Sequence, residues 1–124
     1  MTSTDLRPFR VVVVNAGVSD PSSTKMLADR LSLRVEATAQ RDGRTVETQH
    51  LDLRELLPEL SGALASGHLG PKFTAAIEKL AAADGIIATA PVYKAGPSGL
   101  FTSFFQVLDN DLLIAKPVVL GATA

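Results

Sequence analysis

The sequence predicts an α/β domain built on a doubly wound parallel sheet. Three observations carry that prediction. Phe9–Asn15 and Asp84–Pro91 have continuously apolar or β-branched centres, as strands buried on both faces do. Between successive strand patterns lie segments long enough for helices, which parallel neighbours need for their right-handed crossovers. The patterns alternate β-α-β-α-β-α-β, and sheets of this kind bind ligands beyond the carboxyl ends of their strands.

The first strand leads into a helix from about Ser22 to Gln40. There Met26, Leu27, Leu31, Leu33 and Val35 recur between charged residues, and Ser22, Ser23 or Thr24 caps the start. Arg41–Gly43 forms a turn. Arg44–Leu53 alternates Val46 with polar neighbours before Leu51 and Leu53, as a more exposed second strand would. Residues 54–70 mix short apolar pieces with Pro58, Gly62, Gly67 and Gly70, which indicates a broken helical segment and a loop. Pro71 opens a further helix with Phe73, Ile77 and Leu80 on one face. The third strand, Asp84–Pro91, is expected to stop at its proline. A helix opening at Pro97 and Ser98 carries Leu100, Phe101, Phe104, Phe105 and Leu108 at helical spacing through Asn110, a stripe suited to core or subunit contact. Lys116–Gly121 is the fourth strand.

A length of 124 residues allows one domain, taken as residues 1–124. With 46% hydrophobic and 20% charged residues the chain is globular, and a net charge of -1 from 12 basic and 13 acidic side chains leaves no basic stripe for nucleic acid or anionic lipid. The absence of cysteine excludes disulfides, thiolate metal sites and a cysteine nucleophile, and two histidines are too few for most metal clusters. MTSTDLRPFR has the pattern of neither a signal peptide nor a membrane anchor, so a cytoplasmic protein is expected. Domains of this kind commonly finish with a fifth strand and a last helix. The chain is therefore expected to be C-terminally incomplete, the alternative being a partner subunit that covers the apolar strand Val118–Leu120.

Two loops carry the chemistry. NAGVSDPSST follows a buried strand and opens a helix, so its backbone N–H groups converge on one point that favours an anion. Hydroxyls of Ser19, Ser22, Ser23 and Thr24 suit a phosphate monoester, and Gly17 lets the backbone approach. Neither a triphosphate P-loop nor a dinucleotide G-x-G-x-x-G pattern is present. The same residues also serve simply as turn and cap residues. TAPVYKAGPSGLF, at the end of the third strand, offers Val92 and Tyr93 as a wall for a flat ring. In the plainer reading Tyr93 is a rim residue and Lys94 a solvated charge. His50, His68, Asp84 and Asp109 read as surface, turn or helix-end residues.

NAGVSDPSSTKMLADRL, LDLREL, ADGIIATAPVYKAGPSGLFTSFFQVLD and KPVVLGATA together resemble the NADPH-dependent FMN reductase family of the flavodoxin-like superfamily. Within it they are most similar to the actinobacterial-type reductases that partner luciferase-like monooxygenases. The resemblance implies a flavodoxin-like doubly wound sheet of order 2-1-3-4, lacking the last strand and helix. It implies FMN as flavin and NADPH as donor, with hydride passing from the nicotinamide C4 to flavin N5 and no acid–base catalytic residue. The FMN phosphate would fall to Ser19, Ser22, Ser23 and Thr24. The ring would fall to Pro91, Val92, Tyr93 and Lys94, with Gly121, Ala122 and Thr123 from the loop after the fourth strand. Many relatives carry an arginine in the phosphate loop where this sequence has Asp20 and Pro21, which leaves the phosphate to hydroxyls and amides. The resemblance also implies a homodimer or homotetramer and a flavin-dependent monooxygenase as acceptor of reduced FMN. Rival readings are a flavodoxin-like electron carrier, against which the near-neutral charge speaks, a quinone or azo-dye reductase, and a non-enzymatic α/β binding domain, against which the intact polar loops speak.

Overall fold

The computed structural model describes residues 7–19, 22–93 and 96–124. The elements are β1 (Phe9–Asn15), α1 (Ser23–Arg41), β2 (Val46–Asp52), a 3-10 turn (Leu53–Leu56) running into α2 (Leu57–Ser66), α3 (Pro71–Ala82), β3 (Gly85–Tyr93), β4 (Gly96–Pro97), α4 (Gly99–Gln106) and β5 (Val118–Thr123).

Four strands form a parallel sheet in the order β2-β1-β3-β5. This is the expected topology, with β5 as the fourth strand of the sequence reading. The register places Asn15 between Asp52 and Thr89, so β1 and β2 end level while β3 runs four residues further, to Tyr93. Alternation divides the core between two faces. Val12 and Val14 of β1 and Ile86 and Ala88 of β3 pack with Leu53, Leu56, Leu60, Phe73, Leu80 and Phe104 under α2, α3 and α4. Val11, Val13 and Ile87 face the other way, against Ala28, Leu31 and Val35 of α1. Strand β5 is bonded to β3 along one edge, and Val118, Val119 and Leu120 are exposed.

Two expectations are corrected. The third strand continues through Pro91 to Tyr93. Thr89 O accepts from Ala16 N and Pro91 O accepts from Ser98 N, so this edge of β3 faces β1 and then, once β1 has ended, the two-residue β4. The missing N–H of Pro91 therefore falls on a stretch where β1 offers no partner, and the proline costs the ladder nothing. The helix expected from Pro97 begins at Gly99, because the Ser98 hydroxyl accepts from Phe101 N at 3.3 Å and acts as its cap. It ends at Gln106 rather than Asn110, with turns following. The segment read as a broken helical piece and a loop is a 3-10 turn running into α2, followed by a loop over 67–70: Pro58 sits in the first turn of α2, where its missing N–H has no helical partner to lose, and Gly67 ends the helix with a positive φ of 74°.

The N-cap position of α3 is Gly70, which has no side chain to cap the helix. Glu59 of α2 does so instead, its carboxylate accepting from Phe73 N at 2.9 Å and Lys72 N at 3.2 Å. A Cβ on Gly70 would collide with that carboxylate, so the glycine keeps the place open. At the opposite, amino edge of the sheet, Asp84 accepts from Arg7 Nη1 and Nη2 at 3.0 and 3.1 Å and from Arg10 N at 2.9 Å.

Candidate functional site

The carboxyl edge of the sheet is held together by buried polar groups. Asn15, 3% exposed, ends the valine run of β1. Its Oδ1 accepts from Gly17 N at 3.1 Å and, more distantly, from the Thr89 hydroxyl at 3.4 Å, while its Nδ2 faces Asp52 Oδ1 at 3.4 Å. One amide thus links the ends of β1 and β2 to Thr89 within β3. The signal for it was a single polar residue closing an apolar strand.

The loop after β1 wraps tightly around Gly17. A Cβ there would overlap the Ser22 hydroxyl and lie 3.1 Å from Thr24 Cβ, so only glycine fits. Ser22 is the N-cap of α1, and its Oγ accepts from Lys25 N at 3.1 Å. The first intrahelical bond runs from Met26 N to Ser22 O. The N–H groups of Ser23 and Thr24 therefore have no partner within the helix and point beyond the sheet edge. The Ser22 hydroxyl, used as an acceptor, keeps its proton for another group. Asn15, Gly17, Ser19, Ser22, Lys25, Asp52 and Arg54 line a cavity of about 120 Å³ at this place.

Thr24 brings in the last strand. It is 3% exposed, and its hydroxyl lies 2.7 Å from that of Thr123. Thr123 pairs with Pro91 in the β3–β5 ladder, as Ala122 does with Ala90 and Gly121 with Thr89. Ser22 to Thr24, Pro91 to Tyr93 and Gly121 to Thr123 therefore meet at one edge of the molecule, with Ser19 lining the cavity beside them. Beyond Pro91, Val92 is 36% and Tyr93 57% exposed, and both pair with the antiparallel β4. Lys94 of the expected ring site lies outside the described residues, as do Asp20 and Pro21 of the first loop.

Gly121, Ala122 and Thr123 occupy the last positions of β5 rather than a loop beyond it. A Cβ on Gly121 would meet Leu27 Cδ2 at 2.9 Å and Leu31 Cδ1 at 3.0 Å, so this glycine admits α1 to the sheet. Sequence reasoning also missed Asn15, Lys25, Asp52 and Arg54 as cavity residues. A larger hollow, about 400 Å³, lies elsewhere, between the second half of α1 and the amino ends of β1 and β2. Among the described residues no group of three His, Asp or Glu is placed to hold a metal ion, and no helix is long and apolar enough to cross a membrane.

The parallel sheet, its strand order and the polar loop opening α1 define a flavodoxin-like α/β domain. The family model for NADPH-dependent FMN reductases matches residues 9–124, and the chain belongs to that family. It is 30% identical over 116 residues to an FMN reductase (NADPH) of Pseudomonas aeruginosa and 31% identical over 117 residues to an NADH-dependent FMN reductase of Pseudomonas fluorescens. Those matches cover 94% of this chain and 60% of each relative, so the chain spans about three-fifths of the length of these relatives. An X-ray structure of an oxidoreductase from Corynebacterium diphtheriae superposes with a TM-score of 0.91 at 36% identity, over 94% of this chain and 64% of that one. The apo form of an NADH:FMN oxidoreductase superposes with a TM-score of 0.76 at 26% identity, over 94% of this chain and 59% of that one.

Proposed function

We propose that this chain is the FMN-binding part of an NAD(P)H-dependent FMN reductase. The observation that carries the reading is the convergence of the three strand-end segments, linked through Thr24, Thr123 and Pro91. FMN needs a seat for a phosphate and a wall for a flat ring within one reach, and this edge offers both. FMN held here would supply the acceptor for a hydride from the nicotinamide, and a flavin-dependent monooxygenase is the proposed user of the reduced flavin.

The chain's own part is binding and orientation. Ser19, Ser22 and Ser23 give hydroxyl donors to the phosphate, and the free N–H groups of Ser23 and Thr24 add the dipole of α1. Thr24 spends its hydroxyl on Thr123 and so fixes the phosphate loop to the end of β5. Pro91, Val92, Tyr93 and Lys94 are assigned to the ring wall, and Gly121, Ala122 and Thr123 to its floor. Backbone N–H groups at such a wall favour negative charge on the pyrimidine edge by the logic of an oxyanion hole. A homodimer or homotetramer in the cytoplasm belongs to the same proposal, as the family resemblance of the sequence implies.

The test mixes the purified chain with FMN and either NADPH or NADH and follows nicotinamide absorbance alongside flavin fluorescence. Oxidation that depends on free FMN supports the reductase. Bound flavin without oxidation of either nucleotide supports an electron carrier instead, and no flavin binding overturns the assignment. The double variant Ser22→Ala, Ser23→Ala should bind FMN more weakly, each lost donor to a dianion being worth about 1–3 kcal/mol. Because Ser22 caps α1, the variant should also lose about 1 kcal/mol of stability.

A further inference from the structure

We propose that Arg54, reaching from the turn after β2, supplies the cationic half of the phosphate seat that the loop after β1 lacks, with Lys25 as a second, weaker contributor. The inference rests on the FMN reading above and names the groups that make its phosphate subsite electrostatically sound. From Asn15 to Thr24 the sequence holds no basic residue and one acidic residue, Asp20. Asp52 adds a carboxylate to the cavity lining. Hydroxyls and amides alone would have to hold a dianion against the Asp52 carboxylate, and at close range in a partly desolvated site like charges repel strongly.

The geometry offers a remedy from outside the loop. Arg54 stands on the 3-10 turn, between Leu53 and Leu56, which are 0% and 4% exposed and anchor that turn in the core. Its base is thus fixed while its guanidinium lines the cavity beside Ser19 and Ser22. Nη1 donates to Val18 O at 3.3 Å, tying the guanidinium to the phosphate loop itself. A guanidinium has five N–H donors in a planar fork, so a single bond to Val18 leaves donors to grip phosphate oxygens in pairs. Lys25 lines the same cavity from the first turn of α1, but its Nζ lies 3.8 Å from Asp29 and its charge is shared.

A loop-pinning role for Arg54 would hold the backbone and have no preference for phosphate. The experiment separates the two by comparing FMN with riboflavin, which keeps the ring and lacks the phosphate. Dissociation constants for both are measured by fluorescence quenching on the wild-type chain and on Arg54→Gln and Arg54→Lys, at low and high salt. Glutamine retains a donor for Val18 O and removes the charge. The expected result is an FMN affinity on the order of ten- to a hundredfold weaker in Arg54→Gln, the range of a charge-assisted hydrogen bond. Riboflavin binding should stay unchanged, Arg54→Lys should recover part of the loss, and the salt dependence of FMN binding should flatten without the charge. Unchanged FMN affinity in Arg54→Gln, or equal losses for FMN and riboflavin, overturns the role of Arg54 and leaves the FMN reading standing. Failure of the wild-type chain to bind FMN overturns both.

Discussion

The hydroxyls of Thr24 and Thr123 lie 2.7 Å apart although the residues are 99 positions apart in sequence. This one contact ties the first turn of α1 to the last residue of β5 and closes the carboxyl edge of the sheet. Thr24→Val keeps the shape of a buried side chain and deletes its hydroxyl. The expected cost is about 1 kcal/mol in urea unfolding, the net worth of an ordinary hydrogen bond. Thr123→Val should cost no more, because Thr123 is only half-buried. The double variant should fall short of the sum, since two residues in contact share one interaction. Fully additive losses would show that the pair contributes nothing.

Where sequence patterns are periodic, the fold was legible from them. β1, α1 and α3 appear within a residue or two of expectation because a buried parallel strand and an amphipathic helix each leave a repeating apolar signature. Proline was harder to read. Pro58 and Pro91 look like breakers in a string of letters, yet one sits in the first turn of α2 and the other on an edge of β3 that β1 no longer occupies. Of the candidate site, Ser19 and Ser22 of the loop after β1 were legible as cavity residues because that loop follows a buried strand in the chain, whereas Val92 and Tyr93, read as a loop, are the last residues of β3. Asp52 and Arg54 were not legible, since their neighbourhood with the first loop arises only when β2 pairs with β1. Gly121 looked like a loop residue and is instead the gap through which Leu27 and Leu31 reach the sheet.

That gap gives a packing prediction. Gly121→Ala places a methyl 2.9 Å from Leu27 Cδ2, 3.0 Å from Leu31 Cδ1 and 3.1 Å from Thr89 Cγ2. The leucine tips can yield, but Thr89 is fully buried and cannot move far. Overpacking of this kind costs about 1–3 kcal/mol, to be read as a lowered thermal midpoint. Gly121→Val should be worse. An alanine variant as stable as wild type would mean that α1 slides freely on the sheet.

Glu59 provides a second structural test. It serves as the missing cap of α3 from a neighbouring helix, and two backbone N–H groups depend on it. Glu59→Ala should destabilise the chain by about 1–2 kcal/mol, through lost capping and lost favourable charge at a helix N-terminus. Amide hydrogen exchange should quicken at Lys72 and Phe73 first. Glu59→Gln, which keeps the acceptor oxygen, should recover part of the loss.

Tyr93 separates function from stability. It is 57% exposed at the end of β3, so Tyr93→Ala should leave the unfolding midpoint nearly unchanged. If the hairpin forms the ring wall, flavin affinity and turnover should both drop while riboflavin and FMN lose equally, because the ring and not the phosphate is affected. That parallel loss is the opposite of the pattern expected for Arg54→Gln. Loss of FMN binding with riboflavin binding intact would place Tyr93 at the phosphate instead.

Asp84 predicts an acid-range effect far from the site. The Arg7 guanidinium, followed by the Arg10 backbone N–H, holds its carboxyl down from 3.8 to about 2. A carboxylate lowered in the folded state contributes stability that is complete above its unfolded value and disappears as pH falls through its folded one. Its contribution should therefore fade between about pH 4 and about pH 2. Arg7 is 64% exposed in this pair, so solvent and salt screen the interaction, and at neutral pH it should be worth less than about 1 kcal/mol. Asp84→Asn removes the titrating group and keeps an acceptor for Arg10 N. Unfolding of the two proteins followed as a function of pH should show wild type slightly more stable at pH 7, with the difference closing as pH approaches 2. A difference that stays constant over that window would mean that the ionised carboxylate is not what Arg7 and Arg10 stabilise.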